Sequence, residues 1–174
     1  MVPLGSPAPA FDLPNSADGN QTSLSDFSGK PILVMFICNH CPYVIHVMDE
    51  IDRLTTEYAG KVDFVAINSN SKITHPQDGP ENMKKLAAER GWKFPFCFDE
   101  TQEVAKAYQA ACTPDWFLYD AEHRLFYRGQ LDETRPGRGV AHGADLRGAI
   151  DGAISSATPP AKQIPSGGCN IKWH

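Results

Sequence analysis

The chain has 174 residues, of which 41% are hydrophobic and 21% charged, with a formal net charge of -5. This composition is ordinary for a folded globular protein and excludes a largely disordered chain. No segment concentrates Lys or Arg, so we expect no nucleic-acid partner. The longest apolar run, Pro31 to Cys38, is too short to cross a bilayer, so we expect no membrane association.

The length suits one domain, and we predict a single domain over residues 1–174 with an N-terminal extension at 1–30 and a C-terminal tail at 156–174. The N-terminus has neither the basic region nor the apolar stretch of an export signal. Five cysteines then fit a reducing compartment, and we expect the protein in the cytoplasm. There, closely spaced cysteines are more often catalytic or metal-binding than structural.

Hydrophobic periodicity predicts the elements in chain order. The turn sequence Asp18-Gly19-Asn20 predicts a lead-in hairpin, and the apolar run at 31–37 predicts a strand buried on both faces. A helical pattern begins at Pro42 and ends at Gly60. The later predicted elements are a strand at 62–67, a polar loop at 68–77, a helix at 80–90, a strand at 94–98, a helix at 101–108, a hairpin of 116–120 with 124–128, and a helix at 144–154.

Strand-helix-strand units followed by a hairpin and a helix predict an α/β fold, in which a mixed central sheet is flanked by helices on both faces. The first residues add an N-terminal hairpin extension. Ile171 and Trp173 would leave apolar surface in water if the tail were free, so the C-terminal tail is predicted to dock on the domain.

The chemistry is predicted in the segment Phe36-Ile37-Cys38-Asn39-His40-Cys41-Pro42. A cysteine attacks as the thiolate, and the start of a helix favours that anion through its unpaired amide groups. Cys41 stands just before the helical proline and is the predicted nucleophile, while Cys38 lies in the connecting loop. His40 either places a positive charge beside one of the sulfurs or is a solvated loop residue.

At these residues the sequence resembles the peroxiredoxin-like redoxins of the thioredoxin superfamily, the group named for alkyl hydroperoxide reductase and thiol-specific antioxidant. The resemblance implies a thioredoxin-like fold, with antioxidant activity or thiol-disulfide exchange. The segments that carry it are residues 4–13, the surroundings of Cys41, and residues 66–70, 112–115, 127–132 and 168–173.

The spacing of the two cysteines differs from the thioredoxin pattern and from the peroxiredoxin pattern. In thioredoxins the nucleophile follows the strand phenylalanine by five positions, which leads from Phe36 to Cys41, and the usual resolving position falls on Val44. Cys38 is therefore displaced upstream as the candidate resolving thiol. The peroxiredoxin pattern Pro-x-x-x-Thr/Ser-x-x-Cys-Pro places Val34 and Cys38 where that family has Pro and Thr/Ser.

Thr113-Pro114 is similar to the cis-proline element of thioredoxins, which predicts a cis peptide bond close to the active cysteine. Cys112 would then lie near the nucleophile. It is either a third redox thiol or a small buried residue.

Three further residues could support the site. Arg128 could line it and lower the pKa of a thiolate, and Asp132 could orient a proton carrier, but a solvated hairpin end is the favoured interpretation of each. Cys169 in the docked tail could resolve a sulfenic acid or a mixed disulfide, or could serve only for packing.

Three functions follow from these residues. In the leading one, Cys41 attacks a disulfide and Cys38 resolves the intermediate, without a cofactor and with a protein or small-molecule thiol as electron donor. The alternative is a thiol peroxidase that reduces hydroperoxides through a Cys41 sulfenic acid. The least favoured is copper or zinc binding by Cys38, Cys41 and either His40 or His46. The sequence leaves the substrate, the donor and the oligomeric state open.

Overall fold

The computed structural model describes residues 2–174 and has a five-stranded mixed sheet of order β5-β4-β3-β7-β8 at its centre. The strands are β1 (Asp12–Pro14), β2 (Gln21–Ser23), β3 (Ile32–Phe36), β4 (Asp63–Asn68), β5 (Phe96–Phe98), β6 (Cys112–Thr113), β7 (Asp115–Tyr119), β8 (Leu125–Gly129) and β9 (Cys169–Asn170). The helices are α1 (Pro42–Glu57), α2 (Pro80–Arg90), α3 (Glu103–Tyr108) and α4 (Ala144–Ile154). The three strands β3, β4 and β5 run parallel, and β7 and β8 are antiparallel to their neighbours.

The central strand β3 explains the continuous apolar run of the sequence. Leu33 and Met35 pack in a core with α1, α2 and α4, whereas Ile32, Val34 and Phe36 pack in a second core with α3 and β1. Successive side chains of a strand point to opposite faces, so a strand covered on both sides must be apolar throughout. The predicted mixed sheet with helices on both faces is confirmed.

Helix α1 is tied to α4 by a buried carboxylate. Glu50 is only 1% exposed, and Arg147 of α4 donates to both of its oxygens over 3.1 and 3.0 Å. Arg53, which lies in α1 with Glu50, donates a further hydrogen bond of 3.1 Å to the Glu50 carboxylate. Because a buried charge is tolerated only when it is paired, this group holds the two helices in register on one face of the sheet.

Several predicted boundaries were wrong for local reasons. The third central strand begins at Phe96 and not at residue 94, since Pro95 has no N–H to donate to a ladder. The helix predicted from residue 101 begins at Glu103, because Gln102 adopts a left-handed backbone (φ 66°). The segment predicted as a polar loop at 68–77 starts with a strand residue, and its first four residues are buried.

The C-terminal tail is docked, as predicted, and it forms a strand that the sequence did not indicate. β9 pairs antiparallel with β6, and Ile171 is buried beneath it. The carbonyl oxygen of Lys172 accepts hydrogen bonds from the backbone of Ser71 and the side chain of Gln102. Trp173 remains 41% exposed, so Ile171 is the main apolar anchor. Within residues 2–174, no helix combines the length and the apolar character needed to cross a membrane.

Candidate active site

Cys41 is the N-cap residue of α1, immediately beyond the loop that follows β3. Pro42 occupies the first helical turn and has no N–H, so the amides that stabilise the Cys41 sulfur come from Val44 and Tyr43. The Sγ atom of Cys41 lies 3.7 Å from the carbonyl oxygen of Thr113, and the residue is 6% exposed. The structure has Cys41 at the start of a helix, as the sequence predicted.

The two thiols of the segment behave as a pair that shares one proton. Hydrogen bonding from the Cys38 thiol holds the pKa of Cys41 well below the usual thiol range, with further help from the Cys169 thiol and against the effect of burial. The same hydrogen bond, together with burial, raises the pKa of Cys38. At neutral pH the pair therefore carries its negative charge on Cys41 and its proton on Cys38.

Thr113 contacts both members of the pair. Its hydroxyl oxygen lies 3.6 Å from the Sγ atom of Cys38, which is 1% exposed, and its carbonyl oxygen faces Cys41. The Thr113-Pro114 peptide bond is cis, as the sequence predicted. This element brings β6 against the start of α1, although the two are about 70 residues apart in the chain.

His40 does not have the place that was expected for it beside a sulfur. Its Nδ1 atom lies 2.9 Å from a carboxylate oxygen of Asp78, and its Nε2 atom is 3.3 Å from the side-chain amide of Gln77. Asp78 is fully buried and also accepts hydrogen bonds from the backbone of Asn39 and the side chain of Asn70. The ring thus binds a carboxylate that fixes the cysteine loop, and only the backbone of His40 acts on Cys38.

Cys169 is brought to the pair by the docked tail. In the ladder of β6 with β9 it stands directly opposite Thr113, and its thiol faces Cys41. Burial and the neighbouring Cys41 sulfur raise the pKa of Cys169, so it is a neutral thiol beside a thiolate. Cys169 is half-buried, which makes it more accessible than Cys38 or Cys41.

Cys112 lies near enough to Cys41 and Cys169 for their charges to act on it, and Arg128 is close to Cys112. Cys112 neighbours Thr113 in β6 and therefore points away from it, with its Sγ atom 3.5 Å from the carbonyl oxygen of Pro114. Burial, with the charge of Asp115, raises the pKa of Cys112 to about 12. Arg128 stands opposite Phe117 in the ladder of β7 with β8 and lines a cavity of about 300 Å³ together with Cys112.

A polar network next to the site was only partly foreseen. Asp132 is 2% exposed and accepts hydrogen bonds from the backbone and hydroxyl of Thr134 and from the backbone of His142 and Gly143. The Thr134 hydroxyl lies 2.8 Å from Nε2 of His46 in α1. The sequence suggested that Asp132 orients a proton carrier, and the structure connects it through Thr134 to His46.

The copper or zinc alternative finds no support in this geometry. The ring of His40 binds Asp78 and that of His46 binds Thr134, so neither is free to turn toward the sulfurs. Among residues 2–174, the side chains spaced closely enough to share an ion form instead a cluster that contains no cysteine. That cluster is Asp132, Glu133 and His142.

The curated relatives of the chain have thiol-redox names. The chain is 27% identical over 116 residues to "Thioredoxin-like protein YneN" of Bacillus subtilis, a match that covers 67% of this chain and 65% of that protein. It is 31% identical over 107 residues to a Mycobacterium tuberculosis protein named "Putative peroxiredoxin", covering 61% of this chain and 63% of that one. The chain thus spans slightly less than two thirds of the length of either relative.

Solved structures establish the fold. An uncharacterized conserved protein from Geobacillus kaustophilus is 51% identical, with a TM-score of 0.96 over 100% of this chain and 94% of that one. The thioredoxin domain of a thiol-disulfide oxidoreductase from Bacteroides vulgatus, at 21% identity, matches with a TM-score of 0.68 over 88% and 99% of the two chains. The predicted thioredoxin-like fold is confirmed.

The family model that matches the sequence is Redoxin, and the match extends over residues 3–144. It includes the sheet, the cysteine segment and the cis-proline element described above, while the β9 strand lies beyond it. The chain belongs to the redoxin family.

Proposed function

We propose that this chain is a thiol-disulfide oxidoreductase in which Cys41 is the nucleophile and Cys38 the resolving thiol. One observation carries the proposal: a cysteine at the N-terminus of a helix is paired with a second, protonated thiol that stabilises its anion. Low thiolate pKa and a neighbouring thiol are the two features that disulfide exchange requires. Membership of the redoxin family supports this chemistry.

In the first step the Cys41 thiolate attacks one sulfur of a substrate disulfide. A bond forms between Cys41 and that sulfur, the substrate S–S bond breaks, and the other substrate sulfur leaves as a thiolate that takes a proton from solvent. The amides of Tyr43 and Val44 hold the attacking sulfur at the helix start. The product of this step is a mixed disulfide on Cys41.

In the second step Cys38 resolves that intermediate. Cys38 forms a bond to the Cys41 sulfur, its proton passes to the departing substrate sulfur, and the substrate leaves fully reduced while the pair becomes a disulfide. The largest cause of the raised pKa of Cys38 is its hydrogen bond to Cys41. Once Cys41 is part of a mixed disulfide it no longer carries a charge, so Cys38 ionises more readily when it is needed.

The electron donor in this proposal is a protein or small-molecule thiol that reduces the oxidised pair. We place the activity in the cytoplasm, where thiol donors are abundant and disulfides are usually transient. No bound cofactor takes part, since both electrons are carried by sulfur.

A second candidate is a thiol peroxidase, which the name of the Mycobacterium tuberculosis relative favours. There a hydroperoxide transfers one oxygen atom to the Cys41 thiolate, which becomes a sulfenic acid while the alcohol leaves. Cys38 then condenses with it to form the disulfide and releases water. Peroxide consumption by the native protein, compared with Cys41→Ser, tests this candidate, and equal rates would exclude it.

Single-turnover reduction of a disulfide-bonded peptide tests the main proposal. The native protein should reduce one peptide per chain and form the Cys38-Cys41 disulfide, while Cys41→Ser should be inactive and Cys38→Ser should attack the peptide without forming that disulfide. Cys97→Ala is the matched control, because Cys97 is a fully buried core thiol remote from the pair, and it should keep the full turnover. Reduction by Cys41→Ser at the native rate would overturn the proposal.

A further inference from the structure

The tail strand β9 brings a third thiol to the candidate site. Thr113 presents its hydroxyl to Cys38 and its carbonyl oxygen to Cys41, and on its other side it pairs with Cys169. Gly168 packs so closely on the Thr113-Pro114 backbone that a Cβ atom added there would come within 2.9 Å of the Thr113 carbonyl carbon. This close contact between the backbones of Gly168 and Thr113 therefore fixes the position of Cys169.

The sulfurs of Cys38, Cys41 and Cys169 differ in accessibility, which affects how an external thiol can reduce the oxidised pair. Cys38 and Cys41 are 1% and 6% exposed, so a disulfide between them is shielded from an external thiol that must approach along the S–S axis. Cys169 is half-buried and lies in the tail, at the surface of the site. An external reductant thus meets Cys169 before it can reach the pair.

We infer that Cys169 is a relay thiol, through which electrons from an external dithiol reach the oxidised Cys38-Cys41 pair. This inference rests on the proposed function, which supplies the oxidised pair. It extends that function by assigning the route of reduction and the kind of donor, a dithiol protein that acts on the tail.

The relay consists of thiol-disulfide exchanges that need no added oxidant. Cys169 attacks the Cys41 sulfur of the Cys38-Cys41 disulfide, a Cys41-Cys169 bond forms, and Cys38 leaves and takes up the proton that Cys169 lost. One donor thiol then attacks Cys169 and releases Cys41 as a thiolate. The second donor thiol then attacks the first donor sulfur and displaces Cys169, which takes up a proton, so the donor leaves as a disulfide and all three protein thiols are reduced.

The attack by Cys169 is favoured only after Cys41 has been oxidised, because oxidation removes the negative charge of Cys41. In the reduced protein the Cys41 sulfur helps to raise the pKa of Cys169, which is also raised by burial. When Cys41 is held in a disulfide that effect is absent, and Cys169 becomes a better nucleophile. When the first donor thiol attacks Cys169, Cys41 is the sulfur that departs, and a thiol of low pKa is the better leaving group.

Re-reduction of the oxidised protein by reduced thioredoxin tests the relay. Cys169→Ser should still complete a single turnover and form the Cys38-Cys41 disulfide, but its re-reduction should be slower by about tenfold or more. Gly168→Ala, which keeps the thiol but displaces the tail, should show a similar defect. The matched controls are Cys97→Ala and Gly148→Ala, and both should be re-reduced at the native rate. At Gly148 an added Cβ atom meets nothing within 4 Å.

A second measurement identifies the bond. When Cys38→Ser reacts with the disulfide peptide, mass spectrometry after acid trapping should find the Cys41-Cys169 disulfide and free reduced peptide. Persistence of the peptide on Cys41, or native re-reduction of Cys169→Ser, would overturn the relay and leave the proposed function intact. Absence of any single turnover by the native protein would instead overturn the proposed function and the relay with it.

Discussion

Replacing Cys38 with alanine should raise the pKa of Cys41, because the Cys38 thiol is the strongest stabiliser of the Cys41 anion. A hydrogen bond to a charged group contributes about 1.5–3 kcal/mol. One pKa unit corresponds to about 1.4 kcal/mol, so the expected rise is roughly one to two units. The amides of Tyr43 and Val44 and the thiol of Cys169 remain, and they should keep the pKa below that of a free cysteine, about 8.5.

The assay is alkylation of Cys41 by iodoacetamide over a range of pH, followed by mass spectrometry of the peptide that contains Cys41. In the native protein the midpoint should lie more than about one pH unit below the ordinary thiol value of about 8.5. Cys38→Ser should give an intermediate shift, since a hydroxyl still donates a hydrogen bond. Cys97→Ala should keep the native midpoint, because Cys97 lies in the core on the other face of the sheet. An unchanged midpoint in Cys38→Ala would refute the shared-proton account of the pair.

Three further predictions concern the frame around the site. Arg147→Ala should lower the free energy of unfolding by about 2–4 kcal/mol, because it leaves the buried Glu50 short of a partner, whereas Arg124→Ala on an exposed ion pair should change it by less than about 0.5 kcal/mol. Equal losses in urea denaturation would contradict this. Asp132→Asn should destabilise the protein at neutral pH, where the hydrogen bonds that keep the pKa of Asp132 below its usual value hold a carboxylate. That contribution is lost as the pH falls below the ordinary Asp value of about 3.9 and through the lower folded pKa, so the difference from the native protein should shrink there, and a constant difference would count against the assignment. Met83→Ala, at a fully buried position of α2, should cost about 2–4 kcal/mol, and a loss under about 1 kcal/mol would show that the core there relaxes to fill the space.

The parts of the fold that depend on local pattern were predictable from the sequence. The apolar run of β3 has to be buried on both faces, and Pro42 after Cys41 marks the start of a helix. The turn at Gly19, where φ is +78°, followed from its residue types. These features place Cys41 correctly without any knowledge of long-range contacts.

The details that were missed depend on contacts between distant segments. The pairing of Thr113 with Cys169 joins two strands of two residues each, which have no periodic signal of their own. His40 turns to Asp78 because a buried carboxylate 38 residues away needs a partner, and nothing in the cysteine segment indicates this. The ladder of β7 with β8 likewise decides which face Arg128 takes, which the sequence left open. Such details follow from the assembled sheet.

The most direct test of the central claim is identification of the sulfur that attacks the substrate. In the double variant Cys38→Ser, Cys169→Ser neither neighbouring thiol can resolve the intermediate, so a disulfide peptide should remain covalently attached. Mass spectrometry of the trapped protein should find one peptide per chain, bound to Cys41, as the helix-start position of that thiolate predicts. A peptide bound to Cys112 or Cys97, or no adduct at all, would contradict the assignment of Cys41 as the nucleophile.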